Sequence, residues 1–352
     1  MSKWSRISLI FLALVFVVGC TSLAQNKTSV HRLPSNSEIN IEIDRLMLRE
    51  DVKGMAIAVI EGETILHVDA YGMRNVEQAL PLKTDTIMYG ASLTKAAFAY
   101  MVLQLVDEGK IDLDATIDTY LPKPLPEYER WRSLDDNEEW KQLTARSILT
   151  HTTGLNNLRY LEENQNLTFH FTPGESYAYS GEGIKILQTV LEEGLGLDVK
   201  AEMKKRLFDP FGMPNTSMQW REDFAQNMAD GYDMDGRFEP HDERSNVSAS
   251  GSMDTTIADQ AQMWRGMLNG DGLSKKGRQE WVRAQAPIRS AQKFPTILFH
   301  ETADVRGEAI DLSAALGVES WRGLNGRNFA KGGHNNWTGN IVMGIIISAF
   351  DP

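Results

Sequence analysis

Ser92 and Lys95 are the residues whose types and spacing most directly suggest chemistry. A serine hydroxyl becomes a useful nucleophile only when a neighbour takes its proton, and a lysine can help once burial lowers its pKa. Residues three apart share one helical face, so on a helix the hydroxyl and the amine come within hydrogen-bond reach. Ala96 to Val106 is nearly all apolar and is stopped by Gly109, which predicts a helix buried on most sides. The positive end of that helix favours negative charge developing at its start. The pattern fixes only two residue types, however. An N-cap serine followed by a snorkelling lysine satisfies it equally well, so the wider sequence must discriminate.

The stretch around Ser92 resembles the serine β-lactamase, penicillin-binding protein and esterase superfamily, where an S-x-x-K serine opens such a helix. Gly109 to Asp114, Tyr120-Leu121-Pro122 and Thr144 to Leu155 resemble segments of its class C-like branch. Pro173-Gly174-Glu175-Ser176-Tyr177-Ala178-Tyr179-Ser180-Gly181 is similar to that branch's Pro-Gly-x-x-aromatic-x-Tyr-Ser-Asn stretch. The resemblance implies that Tyr179 relays a proton from the serine to the leaving group, and that Tyr177 packs. Gly181 stands where the branch carries an asparagine that often bonds the substrate amide. A glycine cannot make that side-chain contact, which favours ester or small acyl substrates.

Lys331-Gly332-Gly333 best matches the third element of the family, carried on a sheet-edge strand. By that match Lys331 supplies positive charge at the substrate or at Tyr179, and Gly333 lets a substrate lie along the strand. The backbone N–H groups of Ser92 and His334 would form the oxyanion hole. Leu207 to Met213 and Ala249 to Thr256 with Asp259 read as structural landmarks of the branch.

The implied activity is acyl transfer through an acyl-serine, on a small-molecule ester, a β-lactam or a D-amino-acid peptide. The contrasting reading is a penicillin-binding-like surface protein with weak catalysis. No cofactor or metal is expected: the sequence has no HExxH and no paired histidines at helical spacing, and Gly181-Glu182-Gly183 is too short for a nucleotide loop. The G-x-S-x-G elbow is absent around Ser92.

Several elements must position these groups. Ser35 and Glu38 form a capping box ahead of Ile39, Ile43, Leu46 and Met47 on one helical face. Met55 to Ile60 and Thr64 to Tyr71 read as a hairpin around Glu61-Gly62, and Ile341 to Ile347 reads as a strand. Helical patterns such as Ile184 to Glu193 and Thr256 to Leu268 fill the middle. The expectation is therefore an α+β, β-lactamase/transpeptidase-like fold: one antiparallel sheet built from both termini, flanked by helices, with a mostly helical middle lobe. The resemblance spans about residues 37–347. Relatives continue into a further strand and a packed C-terminal helix, whereas this sequence stops at Asp351-Pro352. Either another segment covers the sheet edge this would expose, or the chain is a shortened member; the expectation is a fold less stable than its relatives, against which a cooperative melt well above about 65 °C would count.

The N-terminus has another character. Lys3 and Arg6 precede the twelve-residue apolar run Ile7 to Val18, too short to cross a bilayer and suited to an export signal. Val17-Val18-Gly19-Cys20 resembles a bacterial lipobox, which implies acylation of Cys20. The expected organisation is a lipoprotein signal peptide over 1–20, a polar tether over 21–36 and a serine hydrolase domain over 37–352. Such a protein would sit on a membrane through its lipid anchor, facing the periplasm from the outer membrane or lying at the cell surface. Cys20 is the only cysteine, so no internal disulfide is possible. The net charge of −12 and the lack of a basic patch argue against nucleic acid, and the sequence fixes no oligomeric state.

Overall fold

The computed structural model describes residues 34–289 and 305–347; the export segment, Cys20 and residues 21–33 of the tether lie outside the described residues. Contacts divide the chain after Ile41. In the first unit the described residues open helix α1 (Asn36–Glu50), and the capping box is present: Ser35 N–H donates to Glu38 Oε2 at 2.7 Å and Glu38 N–H to Ser35 Oγ at 3.3 Å. The second unit begins at Glu42 and holds every candidate site residue described below. There α1 buries Ile43 and brings Met47 against β2 at Gly72.

Strands β1 (Gly54–Glu61) and β2 (Thr64–Asn75) form the expected hairpin, with Gly62 at φ +56° in the turn, and β3 (Leu80–Pro81) extends the sheet. Two short ladders interrupt the helical middle: β4 (Met88–Tyr89) with β7 (Asp254–Thr255), and β5 (Gly231–Tyr232) with β6 (Phe238–Glu239). The C-terminal part forms a five-stranded sheet in the order β12-β11-β10-β9-β8. Its strands are β8 (Ala286–Pro287), β9 (Ser313–Ala314), β10 (Glu319–Gly323), β11 (Gly326–His334) and β12 (Gly339–Ile347).

Every ladder is antiparallel, and helices pack between and around the sheets, giving the α+β architecture anticipated. The expectation of one continuous sheet needs correction. Among the described residues no ladder joins β1 to β12: β1 bonds only β2, and β12 bonds only β11. The termini therefore build two sheets with separate edges. The β12 edge strand alternates: Val342 and Ile346 pack on the core, while Ile341, Met343 and Ile345 are exposed.

The core gathers around helix α2 (Leu93–Asp107), where every residue from Leu93 to Leu105 is buried. Such burial on all sides suits its composition, which leaves no polar face. Gly109 ends the helix at φ +69°, with Lys110 N–H returning to Leu105 O at 2.9 Å in a Schellman-type closure. Helices α3 (Ala145–Leu149), α4 (Gly181–Thr189), α5 (Val199–Met203), α6 (Ile257–Asn269) and α7 (Lys275–Val282) complete the set. Side-chain oxygens of Thr144, Ser180, Asp198, Thr256 and Ser274 cap α3 to α7 in turn. Phe329 of β11 enters the core beside Trp264 and Trp281, at ring separations of 5.7 and 5.9 Å. The C-terminal sheet is thereby fixed to α6 and α7, and Trp281 in turn meets Tyr100 of α2 edge-on at 5.4 Å.

Candidate active site

Ser92 precedes α2 with helical backbone angles and makes no capping bond through its side chain. That separates it from an ordinary N-cap serine, whose oxygen is engaged by the helix. The neighbouring threonine does the anchoring. Thr94 Oγ1 donates to Ala91 O at 2.6 Å and accepts from Met253 N–H at 3.2 Å, tying the helix start to the segment after Ala249. Ala91 is held at φ +46°, a strained angle for a residue with a Cβ. Lys95 lies one turn on, is 3% exposed, and donates to Ser92 Oγ at 2.9 Å and to Ser250 O at 2.6 Å. Ser250 belongs to a stretch expected to be structural, yet its carbonyl holds the lysine; nothing in the side-chain pattern signals a backbone contact of this kind.

Tyr179 is set by two segments that clasp each other. After α3 the chain turns sharply at His151, which has φ +56°, and Gly154 has φ +81°. A Cβ at Gly154 would stand 2.2 Å from Phe171 O, so the close approach requires glycine. His151 O accepts from Ala178 N–H at 2.8 Å, and His151 Nδ1 accepts from Ser180 N–H at 3.2 Å. Ser180 Oγ donates to Asn156 O at 3.1 Å, and Gly181 N–H reaches Asn157 Oδ1 at 3.0 Å. Tyr179 lies inside this clasp, with the His151 ring 4.3 Å from its own. Its hydroxyl accepts from Lys331 Nζ at 3.0 Å, and the two ammonium groups of Lys95 and Lys331 lie 4.9 and 4.6 Å from its ring centre.

Burial of these groups sets up the electrostatics. Burial lowers Lys95 to about 8, aided by the like charge of Lys331 and opposed by the Tyr179 phenol. For Tyr179 burial acts upward, but the charges of Lys331 and Lys95, with hydrogen bonds from Ser92 and Lys331, outweigh it and bring the phenol down to about 7. His151 is held well below its usual range by burial and then by Lys331 and Lys95, so the ring is neutral. Because Nδ1 is an acceptor, the ring proton sits on Nε2, which is buried without a partner.

The third element reaches the serine through β11. Its residues 326–330 pair with β10 on one side, whereas Lys331 to His334 pair with β12 alone. β11 is therefore internal to the sheet at its start and an edge only over its last four residues, which refines the expected sheet-edge strand. Gly333 faces the nucleophile: a Cβ there would stand 2.8 Å from Ser92 N and 2.9 Å from Leu93 N. Only glycine leaves the Ser92 N–H open, and among the described residues that N–H donates to no protein acceptor. His334 follows on the exposed end of the strand, with its ring lowered by burial and then by Lys331. Ser92, Lys95, Tyr179, Lys331 and Gly333 thus converge, with His334 beside them, while Cys20 lies outside the described residues. Among the described residues no group of three or more His, Cys, Asp or Glu side chains is arranged to hold a metal ion.

The chain is also similar to known proteins. The chain is 30% identical over 191 residues to Esterase EstB of Burkholderia gladioli, a match covering 47% of this chain and 46% of that one. It is 24% identical over 179 residues to Penicillin-binding protein 4* of Bacillus subtilis, covering 46% and 37%, and 24% identical over 221 residues to a Beta-lactamase of Providencia stuartii, covering 60% and 54%. The chain thus spans about half the length of these curated relatives. In fold it is similar to the octameric penicillin-binding protein homologue from Pyrococcus abyssi, with a TM-score of 0.69 at 19% identity over 88% of this chain and 70% of that one. A penicillin binding protein from Bacillus halodurans gives a TM-score of 0.65 at 17% identity over 86% and 89%. The family model described as Beta-lactamase matches residues 42–343, which include each of the converging groups, and the chain belongs to that family.

Proposed function

We propose that this chain is a serine hydrolase that acts through an acyl-Ser92 intermediate, with small esters as its preferred substrates. The observation that carries the reading is the uncapped Ser92 hydroxyl, 2.9 Å from the buried Lys95 amine, beside a phenol brought down to about 7. As an ammonium, Lys95 donates to Ser92 Oγ and Ser250 O and cannot accept a proton. The Tyr179 phenolate is then the base that takes the Ser92 proton as Oγ attacks the carbonyl carbon. Negative charge on the carbonyl oxygen is met by the Ser92 N–H, with the His334 N–H as the second donor. As the tetrahedral species collapses, Tyr179 returns the proton to the leaving oxygen. Water then repeats the sequence on the acyl-enzyme and frees Ser92. Lys331 favours the phenolate each time the proton has left Tyr179.

Intact-mass analysis after a fluorophosphonate probe tests this directly. One adduct that vanishes in Ser92→Ala is expected; folded protein without an adduct would overturn the activated nucleophile. A nitrophenyl acetate assay beside a chromogenic cephalosporin ranks ester against β-lactam, and faster ester turnover is expected. Slow acylation by the cephalosporin without turnover of either substrate would favour a penicillin-binding role.

We further propose that the protein is exported and anchored through acylated Cys20, a reading supported by Lys3, Arg6, the apolar run and the Val-Val-Gly-Cys ending. Metabolic labelling with a palmitate analogue should mark the wild type and not Cys20→Ala; label on both would refute it.

A further inference from the structure

Glu182 stands on the first turn of α4 with its side chain only 2% exposed, and three cations converge on it. Lys185 Nζ donates to Oε1 at 2.7 Å and Arg130 Nη2 to Oε2 at 3.3 Å. Arg159 Nε lies 4.0 Å from that same Oε2, too far to bond it. A single cation is enough to neutralise a buried carboxylate. Three cations against one carboxylate leave a local surplus of two positive charges, in a chain whose net charge is −12. The buried Trp131 holds the two arginines together: their guanidinium carbons lie 5.1 and 5.6 Å from its ring centre, and Arg159 Nη2 donates to Arg130 O at 2.6 Å.

Holding like charges this close is unfavourable. Burial lowers the pKa of the Arg159 guanidinium, Glu182 pulls it back up, and the like charge of Arg130 lowers it again. Arg159 Nε is buried with no hydrogen-bond partner, which is costly unless a ligand or water meets the cluster. Among the described residues Arg159 Nη1, Arg130 Nη1 and Arg130 Nε donate to no protein group either. The cluster is open to solvent chiefly at Arg130, whose side chain is half exposed, while Arg159 and Lys185 are recessed behind it. Forked N–H groups with two charges to spare match a doubly charged oxyanion, whose oxygens accept in pairs. We propose that Arg130, Arg159 and Lys185 form a binding site for the dianionic phosphate of a phosphate monoester, with Glu182 as the buried carboxylate that gathers the three cations. The proposal does not rest on the Ser92 reading.

Calorimetric titration of the full chain with inorganic phosphate tests it, at constant ionic strength and at pH about 8, where the dianion prevails. One saturable site with a Kd of about 1 mM or tighter is expected. Arg130→Gln removes the open fork and leaves Lys185 on Glu182, so it should raise Kd about tenfold or more. Lys204→Gln removes an exposed cation paired with Asp209 instead, and should leave Kd within about twofold of wild type. No saturable binding by the folded wild type overturns the proposal without any variant. A Kd unchanged in folded Arg130→Gln also overturns it, as does equal weakening in both variants, which would show diffuse charge rather than a site. The same titration with sn-glycerol 3-phosphate and with dihexanoyl phosphatidic acid separates two sources of the phosphate: a tighter Kd for the lipid assigns a lipid headgroup, and an equal or weaker one assigns a soluble monoester. Failure of both to bind overturns the monoester assignment.

Discussion

Replacing Lys331 by methionine removes a charge while keeping most of the side chain, and it should move the base rather than destroy it. Lys331 Nζ is 3.0 Å from the Tyr179 oxygen, and both groups are buried. At that separation and an effective dielectric of about 20, a unit charge is worth roughly 5 kcal/mol to the phenolate. Water entering beside the phenol and the remaining charge of Lys95 offset part of this, and shifts caused by one opposite charge run about 1–3 units. With a rise of about 2 units, from about 7 to about 9, the phenolate fraction near neutral pH falls from about one half to about one in a hundred. Activity there should fall about 50-fold and recover as the pH approaches about 9. The rate of fluorophosphonate labelling against pH follows the serine without substrate hydrolysis confusing the alkaline end. Tyrosinate absorbance gives a second view, since one of the nine tyrosines should titrate near neutrality in wild type and none in Tyr179→Phe. An acid limb that stays near 7 in folded Lys331→Met would refute the claim that Lys331 sets the base.

Other perturbations follow from single contacts. Gly333→Ala places a methyl group 2.8 Å from Ser92 N and should lower kcat by about 100- to 1,000-fold, as for loss of an oxyanion donor, with little change in circular dichroism; activity within about twofold of wild type would show that N–H to be unused. His151→Phe keeps a ring beside Tyr179 but strands the Ser180 N–H, so stability should fall by about 1–3 kcal/mol in a denaturant titration. Because neutral His151 contributes no charge, the acid limb should stay where it is; a shift would mean that the imidazole titrates with the site. Phe329→Ala empties a fully buried site between Trp264 and Trp281 and should cost about 3–5 kcal/mol by the same titration, whereas a loss under about 1 kcal/mol would mean that the core collapses to fill it.

What the sequence made legible and what it hid divide along a physical line. Ser92 and Lys95 were legible from their spacing at the head of an apolar run, whereas Tyr179 and Lys331 were picked out because the short segments that carry them resemble those of the family. For the first pair the three-residue spacing on a helix is itself a distance. Sheet continuity is a different kind of quantity. Alternation in β12 and the hairpin pattern in β1 identify strands, but which edges meet depends on partners remote in the chain, so the single expected sheet became two. Ser250 escaped notice because its contribution is a carbonyl, which every residue carries. His151 lies in a stretch recognised only by resemblance and Asn157 two residues beyond its end, and their contacts with Ser180 and Gly181 span 29 and 24 residues. Gly181 shows the limit most clearly. The sequence registers the loss of a side chain at that position, and only the fold shows that the backbone and carboxamide oxygens of Asn157, from another loop, stand so close that a Cβ there would clash.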